Sequence, residues 1–231
     1  MRERAQSVTE MGDEQASKAQ ISFARAVIYR VIARCFSYPD KELIELFDSA
    51  RVEEFFQSWR LLGLRDETIT LVTSWLAGFN SCEAALSELE KEFIRLFARP
   101  YPEVLVQPYG SVYVNSERLI WGRSTAEVAR LYEAAGLGMN ESFHDVPDHI
   151  AAELEFASYL IAEQLKSDEH GSPPAEQLPT LEKKLLTEHL HKWAPAFFNR
   201  VVEYSPAGFY QAAALMGRQF IDRDVTYLSR L

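Results

Sequence analysis

Several things that would announce a chemistry are missing from this chain. Of 231 residues only two are cysteine, Cys35 and Cys82. They lie far apart without a Cys-x-x-Cys or zinc-finger spacing, so neither a disulfide framework nor a structural zinc site is indicated. Cys35 falls in an apolar helical pattern and reads as a buried free thiol. No run of about 18 apolar residues exists, which excludes a helical membrane span. The first residues, Met1-Arg2-Glu3-Arg4-Ala5-Gln6, stay polar through Lys18 and hold no apolar signal-peptide core. No Gly-x-Ser-x-Gly elbow, Walker-type loop or Gly-x-Gly-x-x-Gly string occurs, which removes the common signatures of nucleophilic catalysis and nucleotide binding. Bases are outnumbered by acids 24 to 34, for a net charge of −10. Nucleic-acid binding is disfavoured, because phosphate contacts need a basic face. A cationic ligand or peptide is the partner that such a field attracts.

What remains is helical periodicity. Hydrophobic residues make up 47% and charged residues 25%, the profile of a globular chain long enough to bury a core. Ile21, Ala24, Ile28, Val31, Ile32 and Cys35 form a stripe that ends near Tyr38-Pro39-Asp40. Short helices follow to about Ala50 and Leu62, with Gly63 as a stop. Asp66 is placed to cap a helix carrying Ile69, Val72, Trp75, Leu76 and Phe79, and another carries Leu86, Leu89, Phe93, Leu96 and Phe97. Residues 100–123 break the pattern and read as a long ordered loop, with a hairpin over 111–120 as a weaker alternative. A loop of this length inside a domain is usually functional or a hinge. Helices resume at Ser124-Thr125-Ala126-Glu127, a capping-box pattern that runs to Gly136. They continue after Pro147, which suits a first helical turn, and from Thr180 to a break at Pro195. A final helix carries Phe209, Ala213, Met216 and Phe220. The fold class is all-α, with about ten helices. The expected layout is a flexible tail over 1–14 and one helical domain over 15–231, divided into 15–99, the loop 100–123, and 124–231.

The most informative string is Val146-Pro147-Asp148-His149-Ile150-Ala151-Ala152-Glu153-Leu154-Glu155-Phe156. Asp148 and His149 are expected to stand at a helix mouth rather than deep in a core, where an acid meets the positive end of the helix dipole. Tyr109, Tyr113 and Trp121 on the long loop could line an apolar pocket, and aromatic anchors beside carboxylates suit a peptide carrying arginines and leucines. Two Glu-x-x-His strings, Glu141 to His144 and Glu188 to His191, resemble half of a di-iron ligand set, but the first lies in a loop. A metal-dependent helical-bundle enzyme built on Glu188, His191, Glu153 and His149 is the alternative reading. Surface charge and helix-flanking histidines are the plainer one.

Several strings resemble, in order, those of the TorD/DmsD/NarJ family of cytoplasmic molybdoenzyme chaperones. They are Glu92-Phe93-Ile94-Arg95-Leu96-Phe97, Pro108-Tyr109-Gly110-Ser111-Val112-Tyr113, Gly122, Pro147-Asp148-His149-Ile150-Ala151, Glu153-Leu154-Glu155-Phe156, and His189-Leu190 with Trp193, Pro195 and Phe197. One position departs, Ala157 standing where a methionine is usual. The resemblance implies a non-enzymatic, cytoplasmic, all-helical chaperone. Its implied partners are the twin-arginine leader and the catalytic subunit of a molybdopterin oxidoreductase, whose export it holds back until the cofactor is inserted. It nominates Asp148, His149, Trp121, Gly122, Tyr109, Ser111, Tyr113 and Trp75 for leader binding. No metal or cofactor is expected, guanine nucleotide being weakly implied, and the chain is expected to be a monomer or dimer. An adaptor that grips a mature redox subunit is the narrower variant.

Overall fold

The first long helix shows how the sequence sets its own boundaries. Ser17 closes a capping box: its Oγ accepts from the Gln20 N–H at 3.2 Å, while Gln20 Oε1 accepts from the Ser17 N–H at 2.8 Å. Helix α1 (Lys18–Cys35) then buries Ala24, Ile28, Ile32 and Cys35 on one face and stops before Pro39. Asp40 caps α2 (Lys41–Leu46) and also takes a two-pronged contact from Arg34. Next come α3 (Ser49–Leu61) and α4 (Glu67–Leu76), separated by Gly63, whose φ of +70° is a left-handed turn that glycine adopts without strain. Helix α5 (Cys82–Phe93) runs directly into a π-helical turn, Ile94–Ala98.

The computed structural model describes residues 17–47, 49–99, 104–114, 122–137, 146–170 and 177–230. The expected tail over 1–14 lies outside them. The second half comprises α6 (Gly110–Val114), α7 (Arg123–Ala134), α8 (Ile150–His170), α9 (Leu178–Lys183), a π-helical stretch Lys184–Leu190, α10 (His191–Tyr204) and α11 (Phe209–Leu228). Because α5 merges with the π-turn after it, and α9 with α10 through the second π stretch, the described residues form ten continuous helical runs and no strand. The all-α expectation of about ten helices is met.

Helix α1 is the central element. It lies along α8, with α3 and α11 beside it, while α11 packs on α10 and α4. Trp59, Trp193, Tyr29, Phe36, Phe197, Phe198 and Phe220 are fully buried. A Cβ on Gly217 of α11 would collide with the Phe198 ring of α10, so glycine sets how closely those two helices approach. Arg25, buried inside α1, donates to Asp224 of α11 and Glu182 of α9; Tyr29 donates to Asp224 at 2.7 Å and Gln164 of α8 to Glu182 at 2.7 Å. This network joins four helices and pairs the buried guanidinium with two carboxylates, as a buried charge requires.

Four local expectations are corrected. The segment read as loop or hairpin contains a short helix, Gly110–Val114; residues 115–121 are outside the described set. Helix α7 begins one residue before Ser124, with Gly122 as its cap, and no side-chain cap bond forms; Ser124 and Thr125 are turned inward instead. Pro147 lies in the turn before α8 rather than in its first turn, because backbone pairing to the 108–110 segment delays the helix to Ile150. Pro195 does not end its helix. It sits inside α10, at the fifth position of a helix that follows the π-helical stretch Lys184–Leu190 without a break.

Candidate functional site

Pro108–Ser111 and Asp148–Ile150 are clamped together by backbone bonds. The Gly110 N–H donates to the Asp148 carbonyl at 2.8 Å and the Ile150 N–H to the Pro108 carbonyl at 2.8 Å, forming one antiparallel bridge between Tyr109 and His149. The Asp148 carboxylate adds a third tie, its Oδ2 accepting from the Ser111 N–H at 2.6 Å. That N–H belongs to the first turn of α6, which a carboxylate satisfies well. His149 caps the other helix: its Nδ1 accepts from the Ala151 N–H at 3.2 Å. The Tyr109 and His149 rings meet edge-to-face at 5.4 Å.

The expectation that Asp148 and His149 stand in the open is therefore corrected. Asp148 is 0% exposed and His149 8%. They do lie at the start of α8, but each side chain accepts from a backbone N–H at a helix start, Asp148 from Ser111 of α6 and His149 from Ala151 of α8. Half-buried Tyr109 and Tyr113 flank this clamp nearer the surface. Ser111 is buried, with its Oγ lacking a hydrogen-bond partner, as does Asp148 Oδ1. Five nominated residues, Tyr109, Ser111, Tyr113, Asp148 and His149, thus come together. Gly122 stands apart in sequence as the cap of α7, a helix that packs on α6. Trp121 lies outside the described residues. Trp75 packs on Phe79 at 4.6 Å and on Phe209 at 5.9 Å, with its indole against Gly208; these contacts tie it to the start of α11.

A second layer supports the clamp, and the sequence reading did not assemble it. Glu153, fully buried on α8, accepts from the Trp193 indole N–H at 3.2 Å and bonds His189 Nε2 at 2.8 Å. Burial pushes the Glu153 carboxyl above the usual carboxylate range, against the pull of its His189 bond. Burial alone would lower His189, but the bond to Glu153 and the charges of Glu153 and Asp148 outweigh it and hold the imidazole above its ordinary value. Tyr132, pushed up by burial and by Glu153 and Asp148, donates to the Pro147 carbonyl at 3.0 Å. The sequence signal for this layer was the i, i+4 pair His189 and Trp193, which share a helix face. Of the four residues named for a metal-dependent enzyme, Glu153 faces His189 instead. Among the described residues no group of three or more His, Cys, Asp or Glu side chains is gathered for a metal ion.

An open groove runs along α1 between α3 and α8. Phe23, Val27, Leu61 and Leu165 line it, with Arg30 and Glu54 among its polar residues. Phe23 is 52% and Leu61 43% exposed, an apolar concentration of the kind that marks interaction surfaces.

Residues 63–199, more than half of the chain, match the family model described as nitrate reductase delta subunit. Chaperone protein TorD of Aliivibrio salmonicida is 26% identical over 206 residues, covering 89% of this chain and 94% of that protein. Chaperone protein TorD of Vibrio cholerae is 29% identical over 216 residues, covering 90% and 93%. The protein of that name in Escherichia coli O7:K1 is 29% identical over 188 residues, covering 81% and 87%. In three dimensions the chain is similar to a crystal structure described as a redox enzyme maturation protein from Archaeoglobus fulgidus. The TM-score is 0.51 at 23% identity, covering 92% of this chain and 99% of that one, a likeness of fold.

Proposed function

Because the chain belongs to the nitrate reductase delta subunit family, we propose that it is a cytoplasmic, non-catalytic chaperone for a molybdopterin-dependent oxidoreductase. It binds the twin-arginine leader or the apo form of the catalytic subunit, aids cofactor insertion, and holds back export until that is done. The observation that carries this reading is similarity along about nine-tenths of the chain to proteins named as chaperones. No helix among the described residues is long and apolar enough to cross a membrane.

The geometry supports a division of labour. The net charge of −10 draws an arginine-bearing leader to the surface. Tyr109 and Tyr113 offer half-buried rings on which guanidinium and apolar groups pack. The groove along α1 offers apolar surface for the leader's hydrophobic stretch, typically about 7–15 residues long. Asp148 contributes by fixing the 109–113 backbone, since its carboxylate is interior. Calorimetric titration with a synthetic twin-arginine leader tests the reading. Tyr109→Ala is expected to weaken binding by about tenfold, roughly 1.4 kcal/mol, with the cooperative unfolding of the helical fold retained. Equal affinity in the variant and the native chain overturns the assignment of Tyr109.

A further inference from the structure

We propose that Glu153, His189 and Trp193 are positioning residues that set the pose of the 109–113 segment; their importance to a peptide rests on the leader-binding reading above. One indole bears the segment. Trp193 is fully buried, and its Nε1–H is held by Glu153 Oε2 at 3.2 Å. A Cβ built on Gly110 would stand 2.9 Å from that same Nε1 and 2.9 Å from Cε2, so the first residue of α6 rests directly on the indole with no room for a side chain. Three residues on, Tyr113 stacks on the same indole at 5.8 Å between centroids and 24° between planes. Both ends of the short helix therefore take their position from one ring.

The ring in turn takes its orientation from Glu153. A Trp193 that let go of Glu153 would swing the atom on which Gly110 sits. His189 holds the carboxylate from its other oxygen, Oε1, at 2.8 Å. Its i, i+4 spacing to Trp193 places both donors on the face that meets α8. Apolar residues would fill this space at lower desolvation cost. A carboxylate bonded at both oxygens instead fixes direction, which packing alone specifies less sharply. Asp148 thus ties the segment through the Ser111 N–H, while the triad bears on it through Gly110 and Tyr113.

The test is amide hydrogen exchange by NMR on the full chain, combined with calorimetry using a synthetic twin-arginine leader. Trp193→Phe keeps an aromatic ring but loses the pyrrole edge with its N–H, and Glu153→Met loses both acceptor oxygens. In both, the Gly110 and Ser111 amides are expected to exchange at least about tenfold faster, while amides around Arg25 and Asp224 keep their protection. His189→Gln retains a side-chain donor for Glu153 and is expected to hold protection close to native. Unchanged exchange at Gly110 and Ser111, or a uniform loss across all helices, overturns the proposal. Faster exchange with undiminished leader affinity overturns the link to the peptide. If the native chain gives no leader heat while the local exchange effect persists, the functional reading fails and the positioning role stands. If the leader binds the native chain and exchange is unchanged in the variants, the positioning role fails alone.

Discussion

Asp148 shows how one residue can be located well and understood wrongly from sequence. An acid beside an imidazole at a helix start looks like an exposed charge pair, because helix starts are usually wet. Here Asp148 is buried, and its carboxylate accepts from the first turn of a second, five-residue helix. Replacing Asp148 with Ala leaves the Ser111 N–H buried without an acceptor. That is expected to cost about 1–3 kcal/mol of stability, read as a lower urea midpoint, whereas Asp148→Asn keeps an acceptor oxygen and is expected to recover most of it. An Ala variant as stable as the native chain contradicts the capping role. His189 carries a pH signature. Burial works to lower its pKa, but the bond to Glu153 and the charges of Glu153, Asp148 and Glu127 outweigh it and hold the imidazole above the ordinary value of about 6.5. A group raised on folding contributes stability that is complete below its unfolded value and lost as pH rises through the folded one. Glu153, raised by burial, has the same sign at lower pH. The gap in melting temperature between the native chain and His189→Gln is therefore expected to be widest just below pH 6.5 and to narrow at alkaline pH. A gap that widens toward alkaline pH contradicts the assignment.

At the scale of elements, the long helices were legible because their burial follows a 3.6-residue period: Ala24, Ile28, Ile32 and Cys35 on α1, and Ile150, Leu154, Ala157 and Ile161 on α8, are all buried as the pattern requires. Their ends were less legible. Ser124-Thr125-Ala126-Glu127 has a capping-box composition, yet α7 starts at Arg123, with Ser124 turned into the interior against the expectation of local chemistry. Pro195 was a stop by local rule and is a helix interior by tertiary context, and no local pattern announces the two π-helical stretches. Glu153 with His189 and Trp193 was illegible for a simpler reason: the partners lie 36 and 40 residues apart. Buried Arg25 was missed likewise, because its partners Glu182 and Asp224 are distant in sequence. Arg25→Met should strand both carboxylates and cost about 3–5 kcal/mol, measured by chemical denaturation. A loss under about 1 kcal/mol would place the network outside the folding core.

Taken whole, the molecule is an acidic helical body with a clamp at one site and an apolar groove along α1. Its excess of acid predicts that association with a cationic leader slows as salt rises, since steering is screened beyond about 8 Å at physiological ionic strength. Stopped-flow association rates at low and high salt check this, and salt-independent rates contradict electrostatic steering. The central claim is that this surface recognises a twin-arginine leader. The most direct measurement is calorimetric titration of the full chain with a synthetic twin-arginine leader and with the same peptide carrying two lysines. Arginine presents a planar fork that stacks on aromatic rings and pairs two-pronged with carboxylates, and lysine does not. Saturable binding of the arginine peptide, weakened about tenfold or more by the double lysine replacement, is the expected result; absent binding, or equal affinity for the two peptides, contradicts it.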